Sequence, residues 1–118
     1  MYQILFYKDK RNASSVLQYM QNLGKRKDKD SRIKFNKIQE YIQVISEYGT
    51  MAGEPYIEHL DGEIWELRPL RDRILFAAWC DGKLVLLHHF MKTTQKTPKR
   101  EIEKAKKEFA DFLQNMEE

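Results

Sequence analysis

Two strongly apolar runs flank Asp81-Gly82, Arg73–Cys80 (RILFAAWC) before it and Lys83–Lys92 (KLVLLHHFMK) after it. A two-residue turn needs positive φ, which Asp and Gly tolerate, so this pattern predicts a hairpin. Counting outward from the turn, Cys80 stands opposite Lys83, Trp79 opposite Leu84, Leu75 opposite His88 and Arg73 opposite Phe90. Cross-strand partners share a face, as do residues two apart along a strand. Arg73, His88, Phe90 and Lys92 are therefore expected on one face, near one end of the hairpin. Glu63–Arg68 (EIWELR) reads as the preceding strand, joined through Pro69-Leu70-Arg71-Asp72. A connection of that length sets Arg68 opposite Arg73 and Glu66 opposite Leu75.

The rest of the chain alternates between the two periods. Tyr2, Ile4 and Phe6 alternate as one face of a strand, in a segment too short and too polar for a signal peptide. Val16, Leu17, Met20 and Leu23 have helical spacing, with Asn12 or Ser14 as N-cap and Gly24 as the stop. After a charged connection, Ile33, Ile38, Tyr41, Ile42, Ile45 and Tyr48 form the stripe of a longer helix. Asp28 or Asp30 favours its positive end and Gly49 terminates it. A loop over 50–54, a strand over Tyr56–Leu60 and a turn at Asp61-Gly62 follow. Thr97-Pro98 opens a last helix as N-cap and first residue, with Ile102, Ala105, Phe109 and Phe112 on its apolar face. The predicted order is β-α-α-β-β-β-β-α. It describes a single α/β (α+β) domain over residues 1–118, with helices packed on one face of a mostly antiparallel, twisted sheet.

A chain of 118 residues, 42% hydrophobic, suits one domain able to bury a core without disulfide or metal staples. Cys80 is the sole cysteine and reads as a structural thiol in a reducing, cytoplasmic setting. No apolar run approaches a membrane span, and no membrane partner is expected. There is no Gly-rich phosphate loop, no G-x-S-x-G and no cysteine pair for zinc. His88 and His89 are adjacent in a strand and point to opposite faces, so they do not readily chelate one metal. One is expected in the core or under a helix; the other shares the Arg73 face and can handle a proton. His59, beside a turn, reads as exposed. No metal or cofactor is expected.

Net charge is only +3, but Lys92, Lys96, Lys99, Arg100, Lys104, Lys106 and Lys107 crowd one segment, and a second basic group spans Lys25–Lys37. A charge run is usually a solvated face, yet a basic stripe beside aromatic residues and arginines is also the footprint of a nucleic-acid binder. Arg68 and Arg73 facing each other repel. That repulsion is relieved in a wet sheet edge with pairing to Asp72 or Glu66, or by a phosphate between the guanidiniums. Glu66, Arg68, Arg73, His88 and Lys92 converging on one patch favour an anion site.

The set WELR, RDRILFAAW and LLHHFMKTTQKTP, followed by an E-x-E-x-A helix, resembles the HigB-type toxins of the RelE/ParE superfamily. The resemblance covers most of the chain and is densest from Trp65 to Ala105. It implies a RelE-like fold and a type II toxin that cleaves mRNA, often on the ribosome. It also implies neutralisation by a helix-turn-helix, HigA-like antitoxin, with operator DNA contacted only through that antitoxin. By position, the arginine of the E-L-R strand is Arg68, the arginine opening the next strand is Arg73, the L-L-H-x-F histidine is His88, and the first lysine after it is Lys92. Thr93 stands where the family has a second lysine, with Lys96 in reach along the loop. RNA cleaves when its 2′-oxygen attacks the adjacent phosphate, and Arg68, Arg73 and Lys92 suit the electrostatic part of that reaction. Glu66 is the candidate base and His88 the candidate acid; Lys96, Lys99 and Arg100 are candidate RNA contacts. Phe90 and Trp65 are able to stack on bases, although core packing suits both. Two other readings fit the same features: a non-catalytic RNA- or ribosome-binding module, and a gyrase-directed, ParE-like toxin.

Overall fold

Cys80 as well as Gly82 adopts positive φ (54° and 80°) in the computed structural model, which describes residues 1–117. The turn of the central hairpin is thus three residues, Cys80-Asp81-Gly82, closed by Trp79 N–H donating to the Lys83 carbonyl at 2.9 Å. Leu84 pairs with Ala78 and not with Trp79. One extra loop residue shifts the register by one, which by itself turns every side chain to the wrong face. A bulge corrects it. Leu87 falls between His88, partner of Leu75, and Leu86, partner of Phe76, so that Leu75–His88 and Arg73–Phe90 pair as expected. Cys80, read from the sequence as a structural thiol, is exposed at this turn.

The elements are β1 (Gln3–Phe6), α1 (Ser15–Lys25), α2 (Lys29–Tyr48), β2 (Ile57–Asp61), β3 (Ile64–Leu67), β4 (Asp72–Ala78), β5 (Lys83–Met91) and α3 (Lys99–Glu117). That is the expected order, with a single 3₁₀ turn, Gly49–Met51, added after α2. The sheet runs β1-β5-β4-β3-β2, with β1 parallel to β5 and the other pairs antiparallel.

The helices do not share one face. Val16, Leu23, Ile38 and Ile45 of α1 and α2 pack on Ile74, Phe76, Leu84 and Leu86. Ala105, Phe109 and Phe112 of α3 pack on the opposite side, against Leu75, Ala77, Val85 and Leu87. The reason lies in β4 and β5, which are apolar at consecutive rather than alternate positions and so need cover on both faces. Among the described residues, no helix is long and apolar enough to cross a membrane.

Helix ends follow local chemistry. Ser14 caps α1 by accepting from Leu17 N–H, Asp28 caps α2 by accepting from Ser31 N–H, and Gly49 at φ 57° ends α2. A Cβ on Gly49 would lie 2.5 Å from the Tyr2 ring, so space as well as φ demands glycine there. Gly24 does not stop α1, which continues to Lys25. Ile33 is 44% exposed and Tyr48 is also exposed. Ile33 precedes Ile38 by five residues, about 140° around the helix, and so leaves the buried stripe.

Candidate active site

The β3–β4 connection places the central group. Glu66 pairs with Leu75, and this puts its side chain on the α3 side of the sheet, where it is 1% exposed. Arg68 Nε lies 3.4 Å and Arg73 Nε 3.8 Å from Glu66 Oε1. Glu58, opposite Glu66 across β2–β3, holds Arg68 Nη1 at 3.0 Å. The repulsion between the two arginines is therefore met by a carboxylate set between them. Burial pushes the Glu66 carboxyl above its ordinary range, while Thr97, Arg73 and Arg68 pull the other way.

Arg73 is itself 6% exposed. Its Nη1 donates to the carbonyls of Leu70 and Asp72, both at 2.8 Å, and Leu70 sits at a positive φ of 58° that aims its carbonyl there. Burial draws Arg73 below the usual guanidinium value, with Glu66 opposing, and the group stays cationic at neutral pH.

Glu66 and Arg73 line a crevice with Phe90, Lys92, Lys96 and Thr97, closed by the intervening loop. It offers only about 10 Å³ to water, room for a single molecule. The Lys92 backbone is fixed by reciprocal bonds, its N–H donating to the Arg71 carbonyl at 2.8 Å and its carbonyl accepting from Arg71 Nη2 at 3.0 Å. Thr97 Oγ1 donates to Glu66 Oε2 at 2.6 Å, so the expected N-cap hydroxyl is spent on the site instead. Of the three expected RNA contacts, Lys96 lines the crevice, whereas Lys99 and Arg100 are exposed on the first turn of α3 outside it.

His88 does not reach this crevice. It is 1% exposed beneath α3, with Nε2 3.0 Å from Glu101 Oε1 and Nδ1 2.5 Å from Glu108 Oε1. Both ring nitrogens lie within hydrogen-bond distance of a carboxylate oxygen of α3, so the imidazole ties the sheet to that helix at two points. Its expected role as proton donor to a substrate gives way to that of a fastener between sheet and helix. His88 is also both the histidine on the Arg73 face and the one under a helix, two roles the sequence reading divided between neighbours. His89, on the other face, stacks on Tyr19 with ring centroids 3.6 Å apart. Trp65 turns away from the crevice toward the α1–α2 side and tilts against exposed His59.

Behind Arg73 lies a second polar group. Buried Asp72 Oδ1 accepts from Tyr19 OH at 2.7 Å and faces His89 Nε2 at 2.9 Å. Burial pushes the Asp72 carboxyl up, but the bonds from His89 and Tyr19 outweigh this and hold it below its ordinary range. Because the Asp72 carbonyl also accepts from Arg73, this network fixes from one face of the sheet a guanidinium that works on the other. Tyr19→Phe is expected to lower stability by roughly 1–3 kcal/mol, as for a hydrogen bond to a charged group, measured by urea unfolding.

The sequence alone does not point to Tyr19 or to the pair Glu101 and Glu108 as site residues, and it suggests Thr97 only as a helix cap and Asp72 only as a partner of the arginines. The glutamate pair carried a usable signal. Seven residues apart, on the side of α3 that holds Ala105 and Phe112, two carboxylates facing a core call for a buried hydrogen-bond donor. Among the described residues, no group of three His, Cys, Asp or Glu side chains is arranged to hold a metal ion.

Fold and site together define a small mixed α/β domain whose basic, arginine-clamped crevice opens beside a lysine-bearing loop. Residues 27–110 match the family described as phage derived protein Gp49-like (DUF891). The match spans most of the chain, which belongs to this family, a RelE/HigB-like toxin family associated with toxin–antitoxin systems. No curated protein matches it.

Proposed function

We propose that this protein is a HigB-type toxin, an endoribonuclease that cleaves mRNA on the ribosome by metal-independent transesterification, in the cytoplasm. The observation that carries this reading is the buried Glu66 between Arg68 and Arg73, beside Lys92. The 2′-hydroxyl gives its proton to the Glu66 carboxylate, a stronger base for its raised pKa. The 2′-oxygen bonds to phosphorus and the bond to the 5′-oxygen breaks, leaving a cyclic phosphate and a free 5′-hydroxyl. Arg68 and Arg73 offset the extra negative charge of the transition state. With His88 sealed under α3, the proton for the departing 5′-oxygen comes from Lys92. A phosphate needs more room than one water, so the crevice widens as RNA binds. A helix-turn-helix antitoxin of the HigA type silences the toxin.

Induction of the chain alone in a bacterium, with RNA ends mapped by primer extension, tests the reading. Growth arrest with new internal 5′ ends is expected; normal growth with intact transcripts, at confirmed soluble expression, overturns it. The narrowness of the crevice favours a second reading, a ribosome-binding module that arrests translation and leaves messages whole. Arrest with intact mRNA selects that alternative. Arrest through lost DNA supercoiling selects a gyrase-directed toxin.

Thr97 supplies a finer check. Its hydroxyl stabilises the charged form of Glu66, so Thr97→Val raises that carboxyl further. The acidic limb of cleavage rate against pH is expected to move to higher pH. An unmoved limb means that Glu66 is not the group whose ionisation the rate reports.

A further inference from the structure

We propose that a cavity at the β2 edge of the sheet, beside the crevice, is a nucleobase subsite that selects bases bearing an amino group and rejects uracil. The proposal rests on the reading of the crevice as the phosphate site. The cavity, of about 240 Å³, is lined by Glu58, His59, Leu60, Gln95, Lys96, Thr97 and Ile102. Gln95, Lys96 and Thr97 also line the crevice, so the two spaces adjoin across one loop. A volume below the ~300–1,000 Å³ of ordinary ligand pockets suits one flat ring system rather than an extended ligand.

The lining divides as base recognition requires. Leu60 and Ile102, both half-buried, offer apolar surface to the face of a ring. Glu58 and Gln95 offer polar groups to its edge. Glu58 faces the same side of the sheet as Glu66, its register partner, and is 49% exposed at the side chain. Its Oε2 holds Arg68 Nη1 at 3.0 Å, and the half-exposed carboxylate keeps lone pairs for a further donor. One carboxylate thus joins the phosphate-binding arginine to the neighbouring cavity. A nucleotide anchored through its phosphate at Arg68 presents its base next to Glu58.

A carboxylate only accepts hydrogen bonds. It pairs with the exocyclic amino group of cytosine, adenine or guanine. Uracil sets carbonyl oxygens on either side of its single ring N–H, and these repel the carboxylate. Discrimination against uracil therefore comes from repulsion as well as lost attraction.

Binding, not cleavage, tests this. The full-length chain is titrated with 2′-O-methyl heptaribonucleotides, which lack the attacking hydroxyl, each position being varied through the four bases in turn. Wild type is expected to bind the uracil oligomer at one position roughly tenfold to hundredfold more weakly than its cytosine, adenine and guanine counterparts. Glu58→Gln supplies an amide N–H able to pair with a carbonyl and is expected to erase that difference or reverse it. If Glu58 serves only to hold Arg68, the variant loses affinity for all four bases alike and keeps the wild-type ratio, which overturns the proposal. Equal binding of all bases by wild type overturns the subsite and leaves the phosphate crevice standing. Failure to bind any oligomer overturns both. Base-selective binding without cleavage of unmodified RNA on ribosomes supports the subsite and defeats the catalytic reading alone.

Discussion

Glu66→Gln is expected to slow RNA cleavage by about two to four orders of magnitude, the usual contribution of a positioned general base. The amide matches the carboxylate in shape and keeps an acceptor for Thr97, so binding of uncleaved RNA changes far less than the single-turnover rate. The same variant has a signature in stability. Glu66 holds its proton more tightly in the folded chain than in the unfolded one, because burial raises its pKa. Between the unfolded and folded values the native state carries more protons, so stability falls as pH rises through that window. Glu66→Gln removes this titration, and the slope of unfolding free energy against pH is expected to become more positive there than in wild type. Urea melts across the carboxylate range check it. A variant that cleaves at the wild-type rate ends the assignment of Glu66 as base. A slope that does not change shows that Glu66 is not held protonated by the fold.

Local rules carried the sequence reading a long way. The element order, the Glu66–Leu75 register and the approach of Glu66, Arg68, Arg73 and Lys92 all follow from hairpin spacing. The central hairpin placed Arg73 opposite Phe90 correctly for an incomplete reason. The turn has one residue more than expected, and the Leu87 bulge cancels it before the register reaches Arg73. Nothing local announces that compensation. The burial of His88 depends on where α3 docks, a contact between residues 13 and 20 positions apart. The spacing of Glu101 and Glu108 hints at it, but only the packed helix shows which donor they meet. Docking α3 over one face also explains the error about layers. Consecutive apolar residues in β4 and β5 already demanded two covered faces, and helix order alone did not assign them. Thr97 was misread because Thr-Pro before a helix is an ordinary cap, and the competing acceptor, Glu66, lies 31 residues away.

Arg73→Ala is expected to cost cleavage about two to three orders of magnitude, as for loss of one preorganised donor to a transition-state oxyanion. On a solvated sheet edge the loss of one arginine would leave stability nearly unchanged. The burial of Arg73 reverses that expectation. Alanine leaves the Leu70 and Asp72 carbonyls without their donor and removes one of the two cations beside Glu66. Removing one partner of a buried ion pair typically costs about 3–5 kcal/mol. The low end applies here, because Arg68 and Thr97 still hold Glu66. Rate and stability must therefore be separated by measuring cleavage per folded molecule, at a temperature where circular dichroism shows the variant native. Arg73→Lys sharpens the comparison. It keeps the charge but lacks the planar fork that bonds two carbonyls through one nitrogen and leaves the others for a phosphate. If orientation matters as much as charge, lysine recovers much of the stability and little of the rate. Full recovery of the rate by lysine would reduce Arg73 to a point charge. A folded alanine variant that cleaves like wild type would remove it from the chemistry altogether.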